Sequence, residues 1–238
     1  MIPLGLAVAP GIAIAVYIYF RDKYEKEPLS LLAAVFGYGA LSVLPAAFIE
    51  IILDLLLPNP ETILEFAVVN FLFIGLVEEY VKYFVLMKAV YRKPDFNEPF
   101  DGITYAVMIS MGFATAENIF YVIEGGMNTA ILRIFTAVPA HASFAVLMGY
   151  FAGRAKFSPD RSQVFLLLSV GTAALFHGAY DFFLTIENTG LIIIGAFVSL
   201  IVALWLSFKA MKILSNASPF RYAEFFGVSQ KDSMQDDV

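Results

Sequence analysis

Seven runs of apolar residues, each near the twenty or so that a bilayer-crossing helix needs, fill most of this 238-residue chain. They span approximately 2–20, 30–57, 62–91, 102–124, 131–153, 162–184 and 190–208. Hydrophobic residues make up 60% of the sequence and charged residues only 15%, where soluble domains average about 25% charged. The expected fold class is therefore all-α, a polytopic transmembrane bundle of about seven helices, multi-pass in the cell membrane. Residues 1–208 read as one membrane domain and 209–238 as a short tail. In that tail Pro219–Phe226 has the look of an interfacial stretch, and Gln230–Val238 is polar, acidic and expected to be disordered. The second run is overlong with Pro45 at its middle, which predicts a kink or a steep tilt.

Composition excludes several chemistries. No cysteine is present, so disulfides, thiolate metal sites and cysteine nucleophiles are ruled out. The net charge is -6 and no basic cluster suits nucleic acid. The lipid bilayer is the implied surroundings; the oligomeric state is left open. No internal repeat of the inverted-transporter kind is visible. Basic residues set an orientation. Arg21, Lys23 and Lys26, then Lys88, Arg92 and Lys93, then Arg154, Lys156 and Arg161, then Lys209, Lys212, Arg221 and Lys231 all lie at alternate connections. The others hold Pro58–Glu61, Glu124–Asn128 and Glu187–Gly190, with Arg133 the only nearby base. The amino terminus is expected outside and the carboxy terminus in the cytoplasm. The first run is not read as a cleaved signal peptide, because its charges follow the apolar stretch.

Ionisable residues inside the apolar runs stand out, because a charge near a helix centre costs at least about 2.5–3.5 kcal/mol on insertion scales. The third run carries Glu78, Glu79 and Lys82 within five residues. Glu117 and Asn118 lie in the fourth, His141 in the fifth, and His177 and Asp181 in the sixth; these are the only two histidines. On a rise of about 1.5 Å per residue, Glu79, Glu78, Glu117, His141 and His177 fall about 18, 20, 22, 18 and 24 Å from their cytoplasmic ends, with Asp181 one turn deeper. Four runs thus place titratable groups in one layer. Glu78 and Glu79 stand four and three residues before Lys82, so the ammonium can neutralise one carboxylate. His177 and Asp181 are four apart, so the acid can orient the imidazole. Pro139, two residues before His141, is expected to open its helix beside the site. Glu50 and Asp54 are expected near the outer surface of the membrane, toward the end of the second run.

The ordered pattern Glu78-Glu-x-x-Lys82, Phe113-x-x-x-Glu-Asn118, His141 and His177-x-x-x-Asp181 resembles that of the PrsW family of intramembrane proteases. The resemblance covers the third to sixth runs, with Asp101-Gly102 opening the fourth. It implies kinship with CAAX-processing endoproteases and with a non-catalytic γ-secretase subunit. It also implies a membrane-anchored protein substrate, in some bacteria an anti-sigma factor cut at the first site of a cascade.

Peptide hydrolysis needs an activated water, a stabilised oxyanion and a proton for the leaving amine. Cysteine is absent and Ser143 lies on a different face from His141, so a buried carboxylate is the base that remains. Glu78 is assigned that role, with Glu79 and Lys82 holding its charge state. His177, oriented by Asp181, and His141 polarise the scissile carbonyl or bind a metal, and Glu117 and Asn118 complete the site. The metal-ligand candidates are His141, His177, Glu117 and Asp181, of types that Zn²⁺ accepts. The cofactor is left open, and a metal-free or metal-optional glutamate route is preferred. Two other classes use the same residue types: a proton-coupled transporter or channel, and a non-catalytic scaffold for partner helices.

Overall fold

The computed structural model describes residues 2–185 and 191–221, and every regular element in them is helical. In chain order these are α1 (Ile2–Arg21), α2 (Leu29–Leu56), α3 (Ile63–Val68), α4 (Leu76–Ala89), α5 (Asp101–Phe135), α6 (Ala137–Lys156), α7 (Ser162–Thr185) and α8 (Leu191–Asn216). A π-helical segment, Val69–Gly75, joins α3 to α4. The expected connection 187–190 and tail residues 222–238 lie outside the described residues. Five helical stretches are long and apolar enough to cross a membrane: Ile2–Arg21, Leu29–Leu56, Asp101–Lys156, Pro159–Thr185 and Ile194–Asn216. The protein is a multi-pass membrane protein.

Polarity runs inside out relative to a water-soluble bundle. Leu41, Phe48, Leu55, Leu167 and Ile201 are exposed on the outer faces, while Glu78, Glu79, Lys82, His141 and His177 are buried. The outward apolar residues suit hydrocarbon, and the inward polar ones need partners from neighbouring helices. The axis is α5 with α6. Every residue from Asp101 to Thr115 is buried, as is every residue from Ala140 to Gly149. Helices α1, α2 and α4 pack on α5, and α7 and α8 pack on α6. The α2–α5 crossing depends on two glycines. A Cβ on Gly39 would stand 1.9 Å from the carbonyl oxygen of Ile109, and one on Gly112 would stand 1.9 Å from that of Phe36.

Two features differ from the sequence expectation. The stretch Glu124–Asn128 is a break inside α5, where Gly126 takes φ 68°, and the helix resumes to Phe135. The fifth apolar run therefore begins as an arm of α5, and α6 starts only after the irregular Thr136. Pro139 is then in the first turn of α6, where a missing N–H breaks no intrahelical bond. It marks a helix start and does not open a helix beside His141. In contrast, α2 stays helical through Pro45 for 28 residues, about 42 Å, so crossing a hydrocarbon core of about 30 Å requires tilt.

At the basic end of the bundle, Asp101, the first residue of α5, accepts from the backbone N–H groups of Asn97 and Glu98 in the preceding turn, both at 2.7 Å. Lys156, at the end of α6, donates to the carbonyls of Tyr91 and Lys93 at 2.8 and 3.2 Å. These bonds hold the 90–100 connection down and set where α4 enters α5. Asp22 and Glu27 are buried beneath it. Burial, then the charges of Glu98 and Asp101, pushes Asp22 up to about 8, and burial pushes Glu27 up to about 7.

A methyl group at Gly112 has to push α2 off α5, an overpacking cost of about 1–3 kcal/mol or more. Gly112→Ala should lower the melting midpoint in detergent by roughly 5 °C or more. Gly37→Ala, where a Cβ meets nothing within 4 Å, should hold or raise it.

Candidate active site

The site begins one turn after the π segment. Seven residues wound with wider hydrogen bonding shift the register of the helix entering α4. Thr62 and Glu65 close a capping box at the start of α3, and Asn70 donates to Phe66 O and to Thr185 Oγ1, both at 2.8 Å. A Cβ on Gly75 would stand 2.8 Å from the backbone nitrogen of Gly178. Only glycine at both places lets α7 lie this close, and that contact carries His177 onto α4.

Lys82 is the hub. Its Nζ donates to Glu79 Oε1 at 2.8 Å and Glu78 Oε2 at 3.1 Å, and lies 3.2 Å from His141 Nδ1 and 4.0 Å over the Phe113 ring. Lys82 is 1% exposed and Glu79 0%, while Glu78 keeps 6%, so the triad is buried with only an edge of Glu78 accessible. Facing an ammonium, His141 Nδ1 accepts, and Nε2–H donates to Glu117 Oε2 at 2.9 Å. His177 is held by acids on both nitrogens: Nδ1 lies 2.8 Å from Glu79 Oε1 and Nε2 lies 3.1 Å from Asp181 Oδ2. Its Nε2 is also 3.8 Å from Glu78 Oε2. The two imidazoles meet at right angles, 5.1 Å between centroids, and Phe144 stacks on His177 at 5.2 Å.

All eight residues singled out in the sequence meet in one connected network. Glu78, Glu79, Lys82, His141 and His177 form its buried centre. Glu117 and Asp181 sit at its edges, with 16% and 23% of their side chains exposed. Asn118 joins through Arg133, whose Nε lies 2.5 Å from Asn118 Oδ1 and whose Nη2 lies 2.8 Å from Glu117 Oε2. Phe113 serves as the face on which the Lys82 ammonium rests as well as packing.

Two residues escaped the sequence reading. Arg133 is no loop base. Beyond the Gly126 break the arm of α5 turns back, and the guanidinium pairs with Glu117 and covers the Tyr121 ring at 4.0 Å. Its signal was being the single base in the base-poor connections. Glu50, toward the outer end of α2, has its carboxylate turned into the bundle. It is half-buried, its Oε1 has no hydrogen-bond partner or solvent access, and it lies in the field of Glu78, Glu117, His177 and Lys82. With Asp54, Pro58, Pro60, Phe73 and Ile74 it lines a cavity of about 310 Å³. Its signal was a carboxylate within an otherwise apolar helix.

One ligand atom from each of Glu78, Glu79, His141 and His177 lies within 4.8 Å of the others. Glu117 and Asp181, counted with the histidines as ligand candidates, stand outside that group, each bonded to a histidine nitrogen. Two imidazoles and two carboxylates are donors that Zn²⁺ takes, and Glu79 Oε2 is buried without a partner. The residues fit a cation there in kind and number. The Lys82 ammonium is already bonded to three of the four, so a metal ion and Lys82 Nζ would compete for one place.

A family model described as PrsW family intramembrane metalloprotease matches residues 27–213, a stretch containing every one of these groups. The chain is 39% identical over 204 residues to Protease PrsW of Geobacillus kaustophilus (strain HTA426), covering 85% of this chain and 87% of that one. It is 39% identical over 183 residues to Protease PrsW of Bacillus subtilis (strain 168), covering 76% and 82%. Over 210 residues it is 36% identical to Protease PrsW of Clostridioides difficile (strain 630), covering 84% and 85%. No solved structure matches. A buried layer of acid, ammonium and imidazole inside a membrane bundle, matched by these relatives over 76% to 85% of the chain, means that the chain belongs to the PrsW family of intramembrane proteases.

Proposed function

We propose that this protease hydrolyses a peptide bond of a membrane-anchored protein with a water activated by Glu78. The observation that carries the choice of base is the unequal burial of the two glutamates. The Glu78 side chain keeps 8% of its surface while Glu79 has none, so water reaches Glu78. Glu79 binds Lys82 and His177 through one oxygen and acts as the anchor. Glu78 takes a proton from water as the oxygen adds to the scissile carbonyl carbon. The negative charge that develops on the carbonyl oxygen is stabilised by the cationic side of the site, Lys82 and His177. Glu78 then returns the proton to the leaving nitrogen as the C–N bond breaks. Asp181 orients His177, and Glu117 orients His141. Asn118 and Arg133 hold Glu117.

A Zn²⁺ held by Glu78, Glu79, His141 and His177 would polarise the carbonyl and acidify its water. The metal-free route remains the preferred reading, because Lys82 already supplies a cation to those ligands. The substrate that the family resemblance implies, an anti-sigma factor cut at its first site, is the one proposed. The same reading takes seven spans, the amino terminus outside, a membrane domain 1–208 and a cytoplasmic tail 209–238. Its support is that the basic residues gather at the ends of α1, α4, α6 and α8.

Purified protein in liposomes, given a panel of single-span peptides, tests the mechanism. Glu78→Gln and His177→Ala should each lower cleavage by at least about a hundredfold. Cleavage unchanged from wild type in both variants would remove the assignment. Loss on chelation with recovery on Zn²⁺ would replace the metal-free route by the metal one.

Lys82 tests the charge balance separately. Removing one partner of a buried pair costs about 3–5 kcal/mol, so Lys82→Met should lower the melting midpoint by roughly 10 °C. Adding Glu78→Gln and Glu79→Gln to Lys82→Met should restore most of it. No recovery would mean that Lys82 acts through packing alone.

A further inference from the structure

A second cluster of acids lies at the opposite end of α5 from Glu117, and the hydrolytic mechanism does not use it. Asp22, Glu25 and Glu27 come from the connection between α1 and α2; Glu98 and Asp101 come from the approach to α5. One oxygen from each of Asp22, Glu98 and Asp101 lies within 4.8 Å of the others, and so does one from each of Glu25, Glu27 and Asp101. Asp22, Glu27, Glu98 and Asp101 are at most 2% exposed.

The bonding of these acids is half complete. Asp101 Oδ2 takes the backbone N–H groups of Asn97 and Glu98, Asp22 Oδ2 accepts from Thr104 at 3.3 Å, and Glu27 Oε2 accepts from Tyr105. The other oxygens, Asp22 Oδ1, Glu27 Oε1 and Asp101 Oδ1, have no partner and no solvent, as do Glu25 Oε2 and Glu98 Oε2. Among the described residues no salt bridge reaches any of the five. The Lys26 ammonium lies beside the cluster but donates to the backbone carbonyls of Tyr19 and Asp22 and to no carboxylate. Around Lys82 the bundle bonds a cation directly to its buried acids; here, among the described residues, Lys26 and Lys156 act on the five acids only from a distance. A buried carboxylate oxygen left unpaired costs several kcal/mol.

We propose that this end of the bundle binds a hard divalent cation, Ca²⁺ or Mg²⁺, between Asp22, Glu98 and Asp101, with Glu27 and Glu25 joined to it through Asp101. All the donors are oxygens, the preference of these ions and not of Zn²⁺ or Cu²⁺. Oxygens this close together fit around one ion at the roughly 2.0–2.6 Å such cations take. The ion ties the α1–α2 connection to the first turn of α5, the helix that carries Glu117 and Asn118. The site owes nothing to the choice of base or substrate.

The experiment uses the full chain in detergent, stripped with chelator and titrated with Tb³⁺, its luminescence excited through tyrosine; Tyr105 is bonded to Glu27. Wild type should give a saturable signal that Ca²⁺ or Mg²⁺ displaces, and the displacing ion should also raise the melting midpoint. Glu98→Gln and Asp101→Asn should weaken Tb³⁺ binding by at least the roughly tenfold that loss of an outer partner costs, while Glu78→Gln leaves it unchanged. Should Asp101→Asn fail to fold because its hold on the turn before α5 is weakened, Glu98→Gln and the half-buried Glu25→Gln carry the test. The proposal is overturned by an absent or unsaturable signal, by a signal neither ion displaces, or by equal binding in Glu98→Gln. Any of these would mean that the acids share protons among themselves. Proteolysis is not the readout, so either reading can fail alone.

Discussion

A lysine ammonium buried among two carboxylates and an imidazole is the interaction on which the rest of this protein depends. Glu78 and Glu79 in an apolar interior are tolerable only because Lys82 stands one turn along α4, 3.1 and 2.8 Å away. Such a pair is weak evidence for stability, since desolvation cancels much of the attraction. Its value is in specifying an arrangement. Once Lys82 is committed to the glutamates and to His141, the neighbouring helices have few ways to satisfy the remaining polar atoms. His177 from α7 shares Oε1 of Glu79 with Lys82, and Glu117 from α5 meets the free side of His141. The order of acid, ammonium and imidazole is a single hydrogen-bonded chain across four helices.

The helices reach that arrangement because their contacts are made of small residues. In hydrocarbon no hydrophobic force drives helices together, so close backbone approach and interhelical polar contacts have to do it. Glycines at the α2–α5 crossing and at the Gly75–Gly178 contact permit that approach. Large aliphatic and aromatic side chains are spent on the outer faces instead. Hydrolysis inside such a body needs water at one carboxylate while the others stay dry. The difference between Glu78 and Glu79 supplies that asymmetry, and the cavity beside Glu50 lies in the same part of the bundle.

Much of the site was legible before any coordinates. Charges in a bilayer are costly enough that Glu78, Glu79, Lys82, Glu117, His141, His177 and Asp181 stand out without comparison to another chain, and helical spacing pairs His177 with Asp181. Arg133 and Glu50 were not legible. Each looked like an ordinary helix-end residue because its role depends on a change of chain direction: the Gly126 break for Arg133, and the way the end of α2 leans over the π segment for Glu50. Pro139 misled for a related reason. A proline next to a site histidine reads as a helix opener until the start of α6 is known, and that start follows from the irregular Thr136.

The sequence by itself determined the membrane, the all-helical class and the family, because hydrophobic length and intramembrane charge are properties of segments taken one at a time. Only the tertiary structure decided which acid binds which base. That depends on helix rotation and register, set here by one π turn, one broken helix and a few glycine contacts. It assigned Lys82 three partners, left Glu78 the wetter of two adjacent glutamates, and gathered five acids at the far end of α5 from residues up to 79 positions apart.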